Sequence, residues 1–425
     1  MNRYIALLFF LLHLGSWAAL AQDMPRVRHT IDTLTSGTMH GRGYILNGDK
    51  KAAAYIQNRF QEMGLQPLGQ SYLQEFGFAV NRIVQTPVLK VGGAALVPGI
   101  DFLAQAGSAS GKGTVPILLL DTLVFSDARV AKKFFRKSLA GKALVYHQRD
   151  QKQLAKLPAQ YQQKLQEAKL HVILQPGALL ATVALRQQAL PILEVQQSKW
   201  PRQATELYFE VKAELNPQHM TQNVLGFIPG SHQQDSVVVI TAHYDHLGGQ
   251  GSDVYFPGAN DNASGTAMLL ELAQYYSKPE NRPKYSIAFI AFAAEEAGLL
   301  GSFYYTKHPL FPLRQIKFLV NLDLVGTGDD GLMVVNGKVH ERAFELLQHL
   351  NEQRQYLKQI KSRGKAANSD HYPFSEAGVP AFFFYTLGGT TAYHHVQDHA
   401  QQLPLTKFPE VFQLIIDFVA ALDPA

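Results

Sequence analysis

The chain has 425 residues, of which 46% are hydrophobic, 17% charged and 11% aromatic. That is enough apolar material for more than one core and too little charge for a disordered chain or a fibrous repeat. The formal charge is +5, from 39 Lys and Arg against 34 Asp and Glu, yet no long basic tract is present to track phosphates, so nucleic acid is not an expected partner. There is no cysteine. Disulfides, thiolate zinc sites, iron–sulfur clusters and cysteine nucleophiles are therefore excluded, and any metal has to be held by His, Asp and Glu.

At the start of the chain Arg3 precedes the apolar run Ile5 to Leu12, and Ala19 and Ala21 fit an A-x-A cleavage site. Residues 1–21 read as a secretory signal peptide cut after Ala21, which puts the mature chain in the periplasm or outside the cell. His13 and Gly15 interrupt a span already near the minimum for crossing a bilayer, so no stable membrane insertion is expected. From Asp23 to about Thr86 the pattern predicts a helical lead-in. Ala53, Ile56, Phe60 and Met63 share one face of a helix over Lys50 to Met63, and Gly64 fits its stop.

Residues 87–215 have a different texture. Short apolar strands such as Val115 to Leu120 and Ala143 to Tyr146 alternate with Gly and Pro turns and one predicted amphipathic helix, Lys152 to Leu170. This piece carries 17 Lys and Arg against 9 Asp and Glu, a net +8, which leaves −3 for the rest of the chain. A solvated surface accounts for that bias, with an acidic partner or envelope surface as the alternative.

Over residues 216–425, strand-like runs alternate with helical patterns, the signature of a largely parallel α/β sheet. The predicted strands are Val237 to Thr241, Ser286 to Phe292, Lys317 to Leu322, Leu332 to Val335 and Ala381 to Tyr385. The predicted helices cover about Ala263 to Ser277, Leu299 to Lys307, His340 to Leu357 and Lys407 to Leu422. Such sheets place their sites at the carboxyl ends of the strands, so the polar residues directly after these runs are the candidates.

Strand Val237 to Thr241 runs into Ala242-His243-Tyr244-Asp245-His246, with Asp245 near enough to orient the His243 imidazole. Gly258 to Gly265 holds Asp261 in a turn before a helix, where the ordinary reading is an N-cap. A buried-looking strand ends in the adjacent acids Glu295 and Glu296, which repel unless a cation sits beside them. Asp323 is embedded in an apolar strand, where it needs a polar partner. Tyr393-His394-His395-Val396-Gln397-Asp398-His399 puts three of the 16 histidines within six residues of one another. Two imidazoles and three carboxylates suit a pair of divalent metals bridged by one acid, with a carboxylate left over to move protons.

The succession AHYDH, GANDNASG, AAEEAGLLGS, NLDLVG, SDHYPF and YHHVQD resembles the co-catalytic di-zinc aminopeptidases of clan MH, secreted bacterial enzymes, over essentially all of Asn216 to Ala425. The lead-in is also similar, in Gly41-Arg42-Gly43 and the following AAAYIQNRF helix, and residues 87–215 stand where relatives carry a protease-associated insert. The resemblance implies an α/β three-layer sandwich with a mostly parallel central sheet, built from residues 22–86 and 216–425, plus an inserted β-rich protease-associated-like domain. It further implies two Zn2+ ions bridged by Asp261, with His243 and Asp323 completing one site and Glu296 and His394 the other. Glu295 becomes the general base and acid, and Tyr393 a hydrogen-bond donor to the oxyanion. Asp245 and Asp398 orient ligands, and Asp370 and His371 line or support the substrate pocket. His394 is preferred to His395 because the family spacing is tyrosine, histidine, three residues, aspartate.

The implied activity is removal of N-terminal residues from peptides with a free amine, through a metal-activated water, with the insert forming part of the cleft wall. Rival readings are a carboxypeptidase, which would need an arginine for the substrate carboxylate, and a single-zinc glutaminyl cyclase on the same fold. A phosphatase or other di-metal hydrolase, and a non-catalytic binding protein, complete the set.

Overall fold

The computed structural model describes residues 22–390 and 392–422; the signal peptide expected over residues 1–21 lies outside the described residues. The chain forms a mixed α/β structure around a long twisted sheet. Its centre is parallel: Tyr285–Phe292, Gln233–His243, Ile316–Leu322 and Ala381–Leu387 lie side by side in that order, all running the same way. Gly331–Val335 joins antiparallel to Ala381–Leu387, and Ile360–Ser362 closes that edge.

Central strands of this kind are covered on both faces and therefore read as continuous apolar runs. Every residue of Tyr285–Phe292 is buried. Alternate residues feed opposite cores: Val238, Ile240, Ile287 and Phe289 pack on one side, Val237, Val239, Ala288 and Ile290 on the other. The first core lies beneath helices Met24–Leu34, Gly48–Glu62, Gly265–Ser277, Glu341–Arg354 and Phe408–Ala421. The second lies beneath the shorter Leu300–Lys307 and His371–Glu376. These are the three layers. The lead-in helix Met24–Leu34 is tied to its neighbour by Arg26, whose guanidinium grips the buried Glu271 carboxylate with two hydrogen bonds of 2.6 Å.

Two elements depart from the expected pattern. Residues 73–86, predicted as part of a helical lead-in, belong to a 19-residue strand, Leu73–Val91. It pairs antiparallel along most of its length with the 23-residue strand Glu206–Ile228. The first half of that long strand pairs with Gly111–Leu119 and the second half with Tyr285–Phe292. One strand thus carries the sheet from the 87–215 segment into the 216–425 part, and both expected boundaries fall inside these two strands. Within the 87–215 segment, Gly111–Leu119, Ala143–His147, Leu170–Gln175 and Ile192–Gln196 are parallel, with Phe102–Ala104 antiparallel at the edge.

The second departure is the single helix expected over Lys152 to Leu170. Only Gln151–Leu154 and Ala159–Leu165 are helical, and Leu170 begins a strand. Pro158 explains the break, because it supplies no N–H to a continuing helix and disfavours helical backbone in the residue before it. Among the described residues no helix is long and apolar enough to cross a membrane.

Candidate metal centre

The carboxyl ends of the parallel strands converge at one end of the sheet. His243 is the last residue of its strand, and its carbonyl accepts a hydrogen bond from the Thr266 hydroxyl at 3.0 Å. Asp261 lies in the turn Ala259–Ser264, ahead of the helix that starts at Gly265, so it is not the N-cap that a lone aspartate in a turn suggests. Each polar neighbour in that turn has a partner. Asn262 donates to the Leu322 carbonyl at 2.9 Å and accepts from the Gly265 amide at 3.0 Å, and Asn260 accepts from the Gly326 amide at 2.9 Å. These bonds join the Asp261 turn to the strand end that carries Asp323.

The five expected ligands come together. The Nε2 of His243 stands 3.4 Å from one Asp261 oxygen and 3.4 Å from an Asp323 oxygen. The Nε2 of His394 stands 3.2 Å from the other Asp261 oxygen and 3.2 Å from a Glu296 oxygen. Asp261 therefore offers one oxygen to each half of the cluster. These separations are too long for strong charge-assisted hydrogen bonds. They match the edge of a tetrahedron with bonds of ~2.0–2.1 Å, about 3.3–3.4 Å, which is the distance between two donors sharing a zinc ion. The donor set of imidazoles and carboxylates without thiolates also fits Zn2+. His395 stays out of the cluster and accepts from the Gln397 amide instead.

One histidine was not anticipated. His246 approaches the same site, and its Nδ1 lies 2.6 Å from Glu296 Oε1. That contact is too short for two donors on one ion and is a hydrogen bond, so His246 holds Glu296 rather than taking its place. The signal in the sequence is a second histidine three residues after His243 at the same strand end.

Glu295 sits beside His243 and Asp323, their candidate donor atoms all within 4.8 Å of one another. Burial pushes its carboxyl well above the ordinary carboxylate range. Burial and the Asp261 charge push the neighbouring Glu296 in the same direction, but hydrogen bonds with His246 and His394 prevail and hold it at about 2. Two adjacent acids thus divide, one kept ionised and one able to carry a proton.

Asp245 accepts from the Tyr44 hydroxyl at 2.7 Å and from the backbone amides of Glu295 at 3.1 Å and Glu296 at 3.4 Å. Its oxygen lies 3.8 Å from His243 Nδ1, which instead meets the Asp245 carbonyl at 3.1 Å. The residue fixes the acidic pair as much as the imidazole. Asp398 was expected to orient His394. Its carboxylate instead receives the amides of Asn260 at 3.0 Å and Asp261 at 3.2 Å, so it anchors the backbone of Asp261. Asp323 is held by the Ser369 hydroxyl at 2.8 Å, which accepts in turn from Asn321 at 2.8 Å.

Asp370 and His371, expected to line or support the substrate pocket, do not line the cleft. Both are fully buried. Asp370 accepts from the Ser302 hydroxyl at 2.6 Å, and His371 opens helix His371–Glu376 with its ring against Phe383. Their place beneath the strand end makes them supports of Ser369 and its neighbours. The cleft over the cluster is walled by Leu324, Arg363, Asn368, Phe383, Tyr385 and Tyr393. Tyr393 is half exposed, with its ring stacked on the His394 ring at 3.8 Å. Arg363, which sequence reasoning did not single out, donates to the Tyr385 hydroxyl at 3.1 Å.

Comparison with known proteins agrees with this geometry. Residues 223–419 match Peptidase family M28. In sequence the chain is 34% identical over 198 residues to the aminopeptidase YwaD of Bacillus subtilis, covering 43% of this chain and 39% of the relative. The chain therefore spans well under half the length of that protein. A zinc aminopeptidase from Bacillus subtilis superimposes with a TM-score of 0.69 at 22% identity over 95% of both chains. An aminopeptidase from Aneurinibacillus sp. strain AM-1 does so with a TM-score of 0.63 at 21% identity, over 95% of this chain and 97% of its own. Likeness at such identities establishes the fold. The sequence match to Peptidase family M28 spans the stretch that carries every candidate ligand, residues 223–419.

Proposed function

We propose that the protein is a secreted zinc aminopeptidase that hydrolyses the N-terminal peptide bond of peptides with a free amine. One observation carries the reading: two imidazole–carboxylate pairs, spaced as donors around shared cations, meet on the two oxygens of a single aspartate. His243, Asp323 and one Asp261 oxygen would hold one zinc; His394, Glu296 and the other Asp261 oxygen would hold the second. When bound, zinc supplies Lewis-acid polarisation of the scissile carbonyl and lowers the pKa of water.

The chain's own residues do the rest. Glu295, with its carboxyl raised by burial, takes a proton from the attacking water and returns it to the leaving amine. Tyr393 borders both the cleft and His394, a position from which its hydroxyl donates to the oxygen that gains charge at the attacked carbonyl. Asp261, Glu296 and Asp323 offer carboxylates to the substrate's ammonium group. Residues 22–86 and 216–425 make the peptidase body and residues 87–215 an inserted domain that walls the cleft. In support of the wall, the Ala181 amide of that segment donates to the His394 carbonyl at 3.1 Å. The expected signal peptide, cut after Ala21, sends the mature chain to the periplasm or beyond.

Arg363 favours a second reading, carboxypeptidase action or a preference for very short peptides, because a guanidinium at the cleft suits a substrate carboxylate. A panel of peptides separates the two. Aminopeptidase action requires cleavage of aminoacyl anilides and C-terminally amidated peptides, with N-acetylated peptides left intact. The reverse selectivity makes the enzyme a carboxypeptidase, cyclisation of N-terminal glutamine without hydrolysis makes it a cyclase, and turnover of phosphate esters alone makes it a phosphatase.

A further inference from the structure

The lead-in segment Gly41-Arg42-Gly43 contains the most deeply committed cation among the described residues. Arg42 is fully buried. All five of its N–H donors are used, and every acceptor is a backbone carbonyl. Nε donates to Tyr244 at 2.7 Å. Nη1 donates to Leu34 at 3.0 Å and Pro257 at 2.6 Å, and Nη2 to Gly258 at 2.8 Å and Asp261 at 3.2 Å. Tyr244 lies between His243 and Asp245, while Pro257 and Gly258 lead into the turn in which Asp261 carries the shared carboxylate. One side chain therefore clasps the loop with the first ligand to the loop with the shared ligand.

The surroundings are built for it. A Cβ on Gly41 would lie 2.2 Å from the Gly248 carbonyl oxygen, one on Gly43 2.3 Å from the Gly248 Cα, and one on Gly258 2.7 Å from the Arg42 guanidinium itself. The backbone of Gly41 and Gly258 is left-handed, with φ of +60° and +61°, where glycine is favoured. The carboxylates of Asp261, Asp398, Asp245 and Glu296 surround the guanidinium without any of them being its hydrogen-bond partner. Its charge offsets theirs across the loops.

We infer that Arg42 is a positioning residue of the metal centre, which sets the distance between the His243 loop and the Asp261 turn before any ion is bound. The inference rests on the reading of the cluster as a metal site, and it assigns to the lead-in a direct part in that site. Lysine cannot replace it, since an ammonium brings three donors to five carbonyls.

The test compares the full-length protein with Arg42→Lys and Arg42→Met. Zinc titration by calorimetry is expected to give affinity 10- to 100-fold weaker in the variants, the usual cost of removing a residue that orders metal ligands. Amide hydrogen exchange, run on chelated protein, is expected to accelerate at least tenfold at residues 259–263 while Tyr285–Phe292 keeps its protection. Affinity within twofold of the parent, or exchange that rises equally across the sheet, overturns the inference. If neither variant folds, Arg42→Ala with millimolar guanidinium decides: recovery of zinc binding with guanidinium but not with sodium chloride supports the role, and no recovery overturns it. A parent that binds no zinc removes the metal reading alone, because the exchange comparison in chelated protein still stands or falls independently.

Discussion

The molecule contains two stretches of parallel sheet, joined by the shared strand Glu206–Ile228, and only one of them has chemistry at its strand ends. In the body of the molecule, residues 216–425, the strands end in His243, in the Glu295–Glu296 pair and in Asp323, and the loop after Ala381–Leu387 carries His394. In the 87–215 segment the parallel strands Gly111–Leu119, Ala143–His147, Leu170–Gln175 and Ile192–Gln196 run out into leucine, glutamine, proline and glycine, and the one strand-end histidine, His147, is followed by Arg149 and Asp150, which pair with each other at 3.9 Å. Among the described residues, the groups able to hold a metal lie in the body alone. Parallel α/β architecture provides a suitable ledge; which residues stand on it decides whether the ledge is a site.

That contrast can be broken from the body outward. Asp261→Ala removes the donor common to both halves, so metal content measured by mass spectrometry should fall to near zero and hydrolysis of aminoacyl anilides should vanish. A variant that keeps one equivalent of metal would mean that the two halves are independent. Glu295→Gln should leave the metal content unchanged and lower kcat by about 10²–10⁴-fold, the contribution expected of a general acid–base residue. An active Glu295→Gln enzyme would require another proton carrier in the cleft.

His246→Ala sharpens the distinction between a ligand and a residue that holds one. Losing its 2.6 Å bond to Glu296 should weaken zinc binding about 10- to 100-fold without changing the stoichiometry at saturation. The smallest effect is expected in the 87–215 segment. His171 is buried there, its pKa lowered by burial, with its Nε2 donating to the Leu165 carbonyl. An unfolded histidine gains its proton near pH ~6.5. The unfolded state thus binds more protons below that pH, and the stability of this segment falls as the medium is acidified from about 6.5 downward. Hydrogen exchange at Leu170–Gln175 measured from pH 7 to pH 5 reports it, and His171→Phe should abolish the pH dependence of opening.

The legible parts of this fold are those where burial is two-sided. Val237 to Thr241, Ser286 to Phe292 and Lys317 to Leu322 are apolar throughout because helices cover both faces, and the polar residues that follow mark the strand ends. Leu73–Val91 was not legible for the opposite reason. It alternates buried residues such as Phe76, Val80 and Ile83 with Glu75, Gln85 and other polar residues, and contains Pro87, so it carries neither a continuous apolar run nor a clean alternation. The amphipathic spacing of Lys152 to Leu170 outweighed Pro158 in the reading and lost to it in the chain.

At the site, the strand-end His, Asp and Glu were legible as candidates because such residues are unusual there, while their sorting into five ligands and a general base came from the likeness of the short motifs around them to a known family. Asp370 and His371 look the same in sequence, but the helix His371–Glu376 turns them under the sheet. The part of Arg42 was invisible because its partners are main-chain carbonyls, which leave no mark in a string of residue types.

The central claim is that the strand-end cluster of the body grips two divalent ions and that hydrolysis depends on them. Metal analysis of the purified full-length protein, paired with aminoacyl anilide turnover before chelation, after chelation and after zinc is restored, tests it most directly. Two zinc equivalents per chain, turnover lost with the metal and regained with it, is the result this account predicts. A protein that holds no stoichiometric metal, or that cleaves at an undiminished rate once stripped, would contradict it.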